Sequence, residues 1–355
     1  YCPANKHVDR LILGDFKDSN TLDKIAKSSD LITYEIELAN TRALENLVNQ
    51  GKEVYPIPQV LEIIQDKLAQ SEFFNKNNLP IPKYFKVDNQ QDLMRAIEKL
   101  GLPLMIKSRF DSYDGKGNLK LSCKSDINQV FKRFKQWQLI AQEFIEFNEE
   151  VSVICVGSKN GEIVTYPVLL NKHGEDYHIL HRTLIPAALN STVTKQANRI
   201  ACQILKLFEG IGVFTVEFLI CHDKVLINEV APRVHNSGHV TIEACDYSQF
   251  HLHLLAGLNK SVPKPKMLVK RALMQNIIGP RNFNGEYVIS YDNQTLKDLD
   301  SFDGRLYFHL YGKIESKPYR KLGHWVLLSD NQQSISELES EADTILQRVQ
   351  VIPKT

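Results

Sequence analysis

From Gly212 to Glu243 the chain reads GVFTVEFLICHDKVLINEVAPRVHNSGHVTIE, and two apolar segments, Val213 to Ile220 and Val225 to Val230, flank a polar turn with His222 and Asp223. Short apolar runs bounded by turn formers predict a β-hairpin. Each run is interrupted by one carboxylate. Glu217 and Glu229 are equidistant from Asp223, so a three-residue turn on 222–224 sets them opposite each other across the strands. Facing carboxylates repel, and a hard divalent cation with oxygen ligands resolves that repulsion. The competing reading leaves one of them in solvent or paired with Lys224 or Arg233. The next loop, between Pro232 and Gly238, gathers a guanidinium, an imidazole, an amide and a hydroxyl on Arg233, His235, Asn236 and Ser237. Groups so varied are rarely gathered for packing.

Upstream, the pattern is that of a doubly wound α/β domain. A short helix over Thr21–Ala26, capped by Ser19 or Asn20, precedes a buried strand over Leu31–Ile36, and a helix runs from Asn40 to about Gln50. Ligands of such sheets sit at strand ends, where Glu35 and Glu37 project; solvated loop carboxylates are the alternative. After Pro56 and Pro58 one helix is expected from Val60 to about Asn77, with Lys67 in it as a group that nothing local singles out. Asn89 caps a helix that Gly101 ends. LPLMIKSRF then reads as a strand presenting Lys107, just ahead of the loop 111–118 in which Gly115 and Gly117 leave amide groups free for phosphate oxygens; an ordinary hairpin turn is the competing reading.

A helix from Ser125 to about Gln136 leads to a strand over Leu139–Ile145 carrying Gln142 and Glu143. Glu150 opens another strand, and carboxylates set among apolar strands suit a nucleoside pocket. His173, His178 and His181 fall in a polar loop without zinc spacing. Amphipathic helices are expected from Ser191 to Gly210 and from Thr241 to Leu258, a strand over Met267–Ile277, and a closing helix from Ser334 to about Gln347. Between them, 302–328 reads as strand, turn and strand with a basic tip at Lys313, Lys317, Arg320 and Lys321. Its aromatic neighbours Tyr311, Tyr319 and Trp325 suit an anionic sugar phosphate, against the alternative of a solvated hairpin end.

Composition narrows the field. The 355 residues carry 43 basic and 42 acidic side chains, a net charge of +1, which gives no case for a nucleic-acid or membrane partner. The six cysteines are scattered and read as reduced core thiols of a cytoplasmic protein. No apolar run is long enough to span a bilayer, and no signal peptide is evident.

Four segments also resemble, in order, the 5-(carboxyamino)imidazole ribonucleotide synthetases of the ATP-grasp superfamily: TYEIE at 33–37, SRFDSYDGKGN at 108–118, NEVAPRVHNSGHVTIEACDYSQF at 228–250 and HLYGKIESKPYRKLGH at 309–324. The resemblance implies an α/β (α+β ATP-grasp) fold with a partial N-terminal doubly wound domain over 1–58, an ATP-grasp domain over 59–262 and a small β-rich domain over 263–355. It implies ATP-dependent carboxylation of aminoimidazole ribonucleotide by bicarbonate through carboxyphosphate, in a homodimer. Glu217 and Glu229 would hold magnesium, or manganese in its place. Lys67 and Lys107 would contact the nucleotide phosphates, the loop with Tyr113, Asp114, Gly115, Lys116 and Gly117 would cover them, and Gln142, Glu143, Glu150 and Asn228 would complete the nucleotide site. Arg233 would hold bicarbonate or carboxyphosphate, with His235 and Asn236 orienting the intermediate and the amine. Glu35, Glu37, Tyr113, Asp114, Lys116, Lys313, Arg320 and Lys321 would reach the ribonucleotide.

Three departures accompany the likeness. The family's glycine-rich first strand and loop are not in the sequence, Leu38 stands where many relatives are polar, and Ala231 takes the place of an asparagine metal ligand. A formate-dependent ribonucleotide transformylase of the same superfamily, or a nucleotide-binding protein without turnover, are the rival readings.

Overall fold

The structure, a computed structural model, describes residues 2–110, 117–135, 137–174, 179–291, 305–329 and 333–354. At the N-terminal end, β1 (Leu31–Ile32) and β2 (Glu53–Val54) pair in parallel, flanked by α1 (Ser19–Ala26) and α2 (Thr41–Asn49). Asp18, rather than Ser19 or Asn20, caps α1, because its carboxylate accepts from the amides of Asn20 and Thr21. The strand expected over 31–36 covers two residues; the chain then leaves the sheet in turns that carry Glu35 and Glu37.

The single helix expected over 60–77 is two, α3 (Pro58–Gln65) and α4 (Lys67–Lys76). Asp66 divides them in an extended conformation and accepts the amide of Leu68, so Lys67 is the first residue of a helix rather than a surface group in the middle of one. A four-stranded antiparallel sheet follows, ordered β3-β6-β4-β5, from β3 (Tyr84–Val87), β4 (Leu104–Ser108), β5 (Asn118–Leu121) and β6 (Leu139–Glu143). Its apolar face, Val87, Leu104, Ile106 and Leu121, buries against Leu93 and Ala96 of α5 (Gln90–Leu100) and Val130 of α6 (Ile127–Arg133). Ser125, expected to cap that last helix, lies instead within a 3-10 turn over Lys124–Asp126.

The large sheet is built from β7 (Glu149–Gly157), β8 (Ile163–Thr165), β9 (Leu169–His173), β10 (Leu180–Ile185), β11 (Gly212–Cys221) and β12 (Lys224–Ala231). After α7 (Ser191–Leu207), α8 (Thr241–Ala244) and α9 (Gln249–Gly257) come β13 (Arg271–Ile278), β14 (Gly285–Tyr291), β15 (Leu306–Leu310), β16 (Glu315–Ser316), β17 (Lys321–Ser329), α10 (Ile335–Arg348) and β18 (Val349–Pro353). The helix expected over 241–258 is thus two, divided at 245–248. Strands run in the order β12-β11-β7-β9-β10-β13-β17-β15, with β8 beside β7, so the C-terminal region completes the central sheet; β16, β14 and β18 form a small sheet of their own.

Alternation sorts the two faces of this sheet. Phe214, Val216, Phe218 and Ile220 pack with Val151 and Val153 beneath Ile200 and Ile204 of α7, while Val213, Ile154 and Val156 face Leu252 and Ala256 of α9. His173 ends β9 and His181 lies in β10, so neither is in a loop; His178 lies outside the described residues. Of the cysteines, Cys155 and Cys245 are core thiols, whereas Cys2 and Cys123 are exposed. No helix among the described residues is long and apolar enough to cross a membrane.

Candidate active site

The β11–β12 hairpin sets Glu217 directly opposite Glu229, though by a different route from the one expected. Cys221 pairs with Lys224, leaving a two-residue turn in which His222 has φ of +55°. Carried on, that register would put Glu229 on the same face as Val225 and Ile227, under α7. A bulge at Asn228 shifts it by one, so Val230 takes the buried position and Glu229 turns to the opposite face beside Glu217. The facing acids settle into different states. Burial raises the Glu217 carboxyl well above the ordinary range, and Glu150 and Glu229 raise it further. Burial works against the Glu229 carboxylate too, but Lys67, then Lys107 and Arg233, outweigh it and hold its pKa below the ordinary value. Glu229 keeps 42% of its side-chain surface open, so the charge is accessible. No group of three His, Cys, Asp or Glu side chains among the described residues is arranged as a metal cage.

Three segments distant in sequence bring cations to this pair. Lys67 Nζ donates to Glu229 Oε1 at 2.9 Å. The break at Asp66 makes this reach feasible: Asp66 takes the guanidinium of Arg109 in a two-point bond, and the Lys67 amide donates to the Arg109 carbonyl at 3.0 Å. The start of α4 is thereby fastened to the end of β4, where Lys107 sits. Burial, and then the neighbouring Lys67, bring the Lys107 ammonium down to about 8. Gly117 closes the glycine-rich loop by accepting the Ser108 amide at 2.9 Å; Tyr113, Asp114, Gly115 and Lys116 lie outside the described residues.

Arg233 turns to the N-terminal segment, with Nε on Glu37 Oε1 at 3.0 Å and Nη1 3.8 Å from Glu35 Oε1. Burial raises the Glu37 carboxyl despite that guanidinium. His235 places Nε2 at 3.5 Å from Glu217 Oε1. Asn236 and Asn276 exchange two amide hydrogen bonds, of 3.1 and 2.7 Å.

Gln142 is buried in β6, and Glu143 accepts the Lys83 amide at 2.8 Å. Burial lifts the Glu150 carboxyl to about 7 against the pull of Lys107, and its Oε2 lies 3.3 Å from His173 Nδ1. At the C-terminal tip, Lys313 Nζ donates to the Lys321 carbonyl at 2.7 Å and Arg320 Nη1 to the Glu315 carbonyl at 2.9 Å. A cleft of about 570 Å³, lined by Lys17, Leu38, Asn40, Arg42, Ser108 and Phe110 among others, opens beside this centre. The acids and bases converge elsewhere, above the hairpin, and that convergence defines the site. The groups that hold it, Asp66, Arg109, Asn171, Ser152 and Asn276, are not picked out by sequence reasoning; the extended break at Asp66, an N-cap residue ahead of Lys67, was a readable signal for the first.

Comparison with known proteins covers most of the chain. Residues 72–250 match the ATP-grasp domain, 1–65 the ribonucleotide synthetase preATP-grasp domain and 272–338 the phosphoribosylaminoimidazole carboxylase C-terminal domain. The N5-carboxyaminoimidazole ribonucleotide synthase of Staphylococcus epidermidis is 32% identical over 340 residues, 93% of this chain and 84% of that protein. The crystal structure of the synthetase from Thermotoga maritima superposes with a TM-score of 0.86 at 30% identity, covering 99% of this chain and 90% of that one. The Aspergillus clavatus synthase in complex with ADP and 5-aminoimidazole ribonucleotide gives 0.84 at 29% identity, covering 97% and 89%. With its three domains matched in order and the hairpin acids, Lys67 and Arg233 meeting over one hairpin, the chain belongs to the N5-carboxyaminoimidazole ribonucleotide synthase family of ATP-grasp enzymes.

Proposed function

We propose that the chain carboxylates the amine of 5-aminoimidazole ribonucleotide with bicarbonate at the expense of ATP, through carboxyphosphate, releasing ADP and phosphate. The observation that carries this reading is the meeting of Lys67, Lys107, Glu217, Glu229 and Arg233 over one hairpin. Phosphoryl transfer to bicarbonate asks for charge neutralisation and alignment rather than covalent help. Lys67 and Lys107 would hold the nucleotide phosphates, with Gln142, Glu143, Glu150 and Asn228 around the nucleoside. Arg233 offers a planar pair of donors to bicarbonate. The 113–117 segment would close over the phosphates and keep water from an anhydride that hydrolyses readily.

The donor set fits magnesium. Glu217 and Glu229 are oxygen ligands whose mutual repulsion and burial disfavour two free carboxylates, a cost that a divalent cation removes. When bound it would neutralise the phosphate oxygens. His235 and Asn236 would orient the intermediate and the amine, and Lys313, Arg320 and Lys321, with Glu35, Glu37 and the 113–116 segment, would receive the ribonucleotide.

The domain limits 1–58, 59–262 and 263–355, a cytoplasmic location and a homodimer complete the reading, the last testable by sedimentation at micromolar concentration. The deciding experiment is ADP release with the ribonucleotide and bicarbonate, each omitted in turn and bicarbonate replaced by formate. Release that needs the ribonucleotide and bicarbonate is expected, and release driven by formate would overturn the reading.

A further inference from the structure

Beneath the site, four buried polar side chains form a line that ends on the ring of His235. Thr183 Oγ1 lies 3.3 Å from Asn171 Oδ1, Asn171 Nδ2 lies 3.1 Å from Ser152 Oγ, and Ser152 Oγ lies 3.1 Å from Ser237 Oγ. Ser237 Oγ reaches His235 Nδ1 at 2.9 Å. Ser152, Ser237 and Thr183 are wholly buried, and Asn171 keeps only 4% of its surface. Nothing in the metal, phosphate or ribonucleotide assignments uses any of them.

The line has a direction, and one bond sets it. The backbone amide of Ser237 also points at His235 Nδ1, at 3.3 Å, where the imidazole caps the 3-10 turn Asn236–Val240. A backbone N–H can only donate, so Nδ1 must offer its lone pair and the ring proton belongs on Nε2. The rest follows by exhaustion of protons. Ser237 gives its hydroxyl proton to Nδ1 and therefore accepts from Ser152. Ser152, its proton used, accepts from the amide nitrogen of Asn171, whose oxygen takes the proton of Thr183.

A second buried amide holds the main chain in the same place. Gln249 Nε2 donates to the His235 carbonyl at 2.7 Å and Gln249 Oε1 accepts the His235 amide at 2.9 Å. A side chain at position 238 would run into Gln249, since a Cβ there would sit 2.3 Å from its Oε1, so Gly238 permits this clamp. Ring and backbone are thus both pinned, and Nε2 faces Glu217 at 3.5 Å.

We propose that Ser237, Ser152 and Asn171 are positioning residues that keep the His235 ring proton on Nε2 and aim it at the hairpin acids, so that His235 meets its ligands as a hydrogen-bond donor. This deepens the carboxylase reading and rests on it for its kinetic consequence alone; the tautomer stands or falls separately.

Two measurements on the intact chain test it. In ¹⁵N-labelled protein, long-range ring correlations report which nitrogen carries the proton, and His235→Gln identifies the signal among the 11 histidines. A protonated Nε2 is expected, and a proton on Nδ1 overturns the proposal. Kinetically, Ser237→Ala should lower kcat about 10- to 100-fold, the usual cost of losing an orienting partner of a site histidine, with the KM for ATP unchanged. Ser152→Ala should cost less, and the double variant should be no worse than Ser237→Ala, because both cut one line. Losses that multiply would show two unrelated packing defects and overturn the positioning role. Should a variant fail to fold, the wild-type ring signal still decides. An Nε2-protonated ring in a chain without bicarbonate-dependent ADP release would uphold the tautomer and remove the function.

Discussion

Cations in two regions of this molecule are held in opposite ways. Above the hairpin, Lys67 and Arg233 rest on carboxylates, those of Glu229 and Glu37. At the C-terminal tip, Arg320 reaches a backbone carbonyl, that of Glu315. A carboxylate partner cancels the charge that it positions, so a ligand must exchange with that partner. A carbonyl positions the cation and leaves its charge in place for an incoming anion. The first arrangement suits groups that work together on a transferring phosphoryl; the second suits capture of a preformed phosphate. Above the hairpin, Lys107 is desolvated enough, with Lys67 beside it, that its ammonium falls to about 8.

The sharpest way to break this comparison is Glu229→Gln, which keeps the shape and removes the charge that holds Lys67. ADP formation should fall at least about 100-fold, the scale of losing one preorganised electrostatic group, with little change in melting temperature. Near-normal turnover in that variant would refute the metal and phosphate assignment. Arg320→Ala probes the other region. It should raise the KM for the ribonucleotide about tenfold, the equivalent of one charge-assisted hydrogen bond, and leave the KM for ATP alone. Equal effects on both substrates would dissolve the distinction between the two regions.

The smallest effect is on stability. Glu150, raised to about 7 by burial, holds its proton in the folded state over a range where the unfolded chain has lost it. The native state therefore binds more protons between about pH 5 and 7, and ligand-free stability should fall as pH rises through that window. Lys107 has the reverse sign: lowered to about 8, it binds fewer protons than the unfolded chain above that pH, so stability should recover between about pH 8 and 10. Glu150→Gln should flatten the lower slope by a few degrees of melting temperature, and an unchanged slope would argue that Glu150 ionises normally.

The elements around the hairpin are legible in the sequence where their signals are local. Lys107 closes a strand just before a glycine-rich loop, Asn89 and Ser334 cap the helices expected of them, and the symmetry of the hairpin pairs Glu217 with Glu229. That pairing was reached through the wrong turn. A two-residue turn and a bulge at Asn228 add up to the same register as the three-residue turn read from the sequence. Lys67 was invisible because its meaning comes from Asp66, which breaks a pattern otherwise readable as one helix and binds Arg109, 43 residues away.

What the sequence settled by itself was therefore whatever depends on neighbours a few positions apart: strand period, caps, the opposed acids and the order of the four motif segments. Only the tertiary structure decided which groups would share a dielectric environment. Arg233 meets Glu37 across 196 residues, Lys67 meets Glu229 across 162, and Asn236 meets Asn276 across 40. The physical reason is that hydrogen bonds and pKa shifts act over a few ångströms of space, whereas periodicity acts along the chain, and only packing converts one distance into the other.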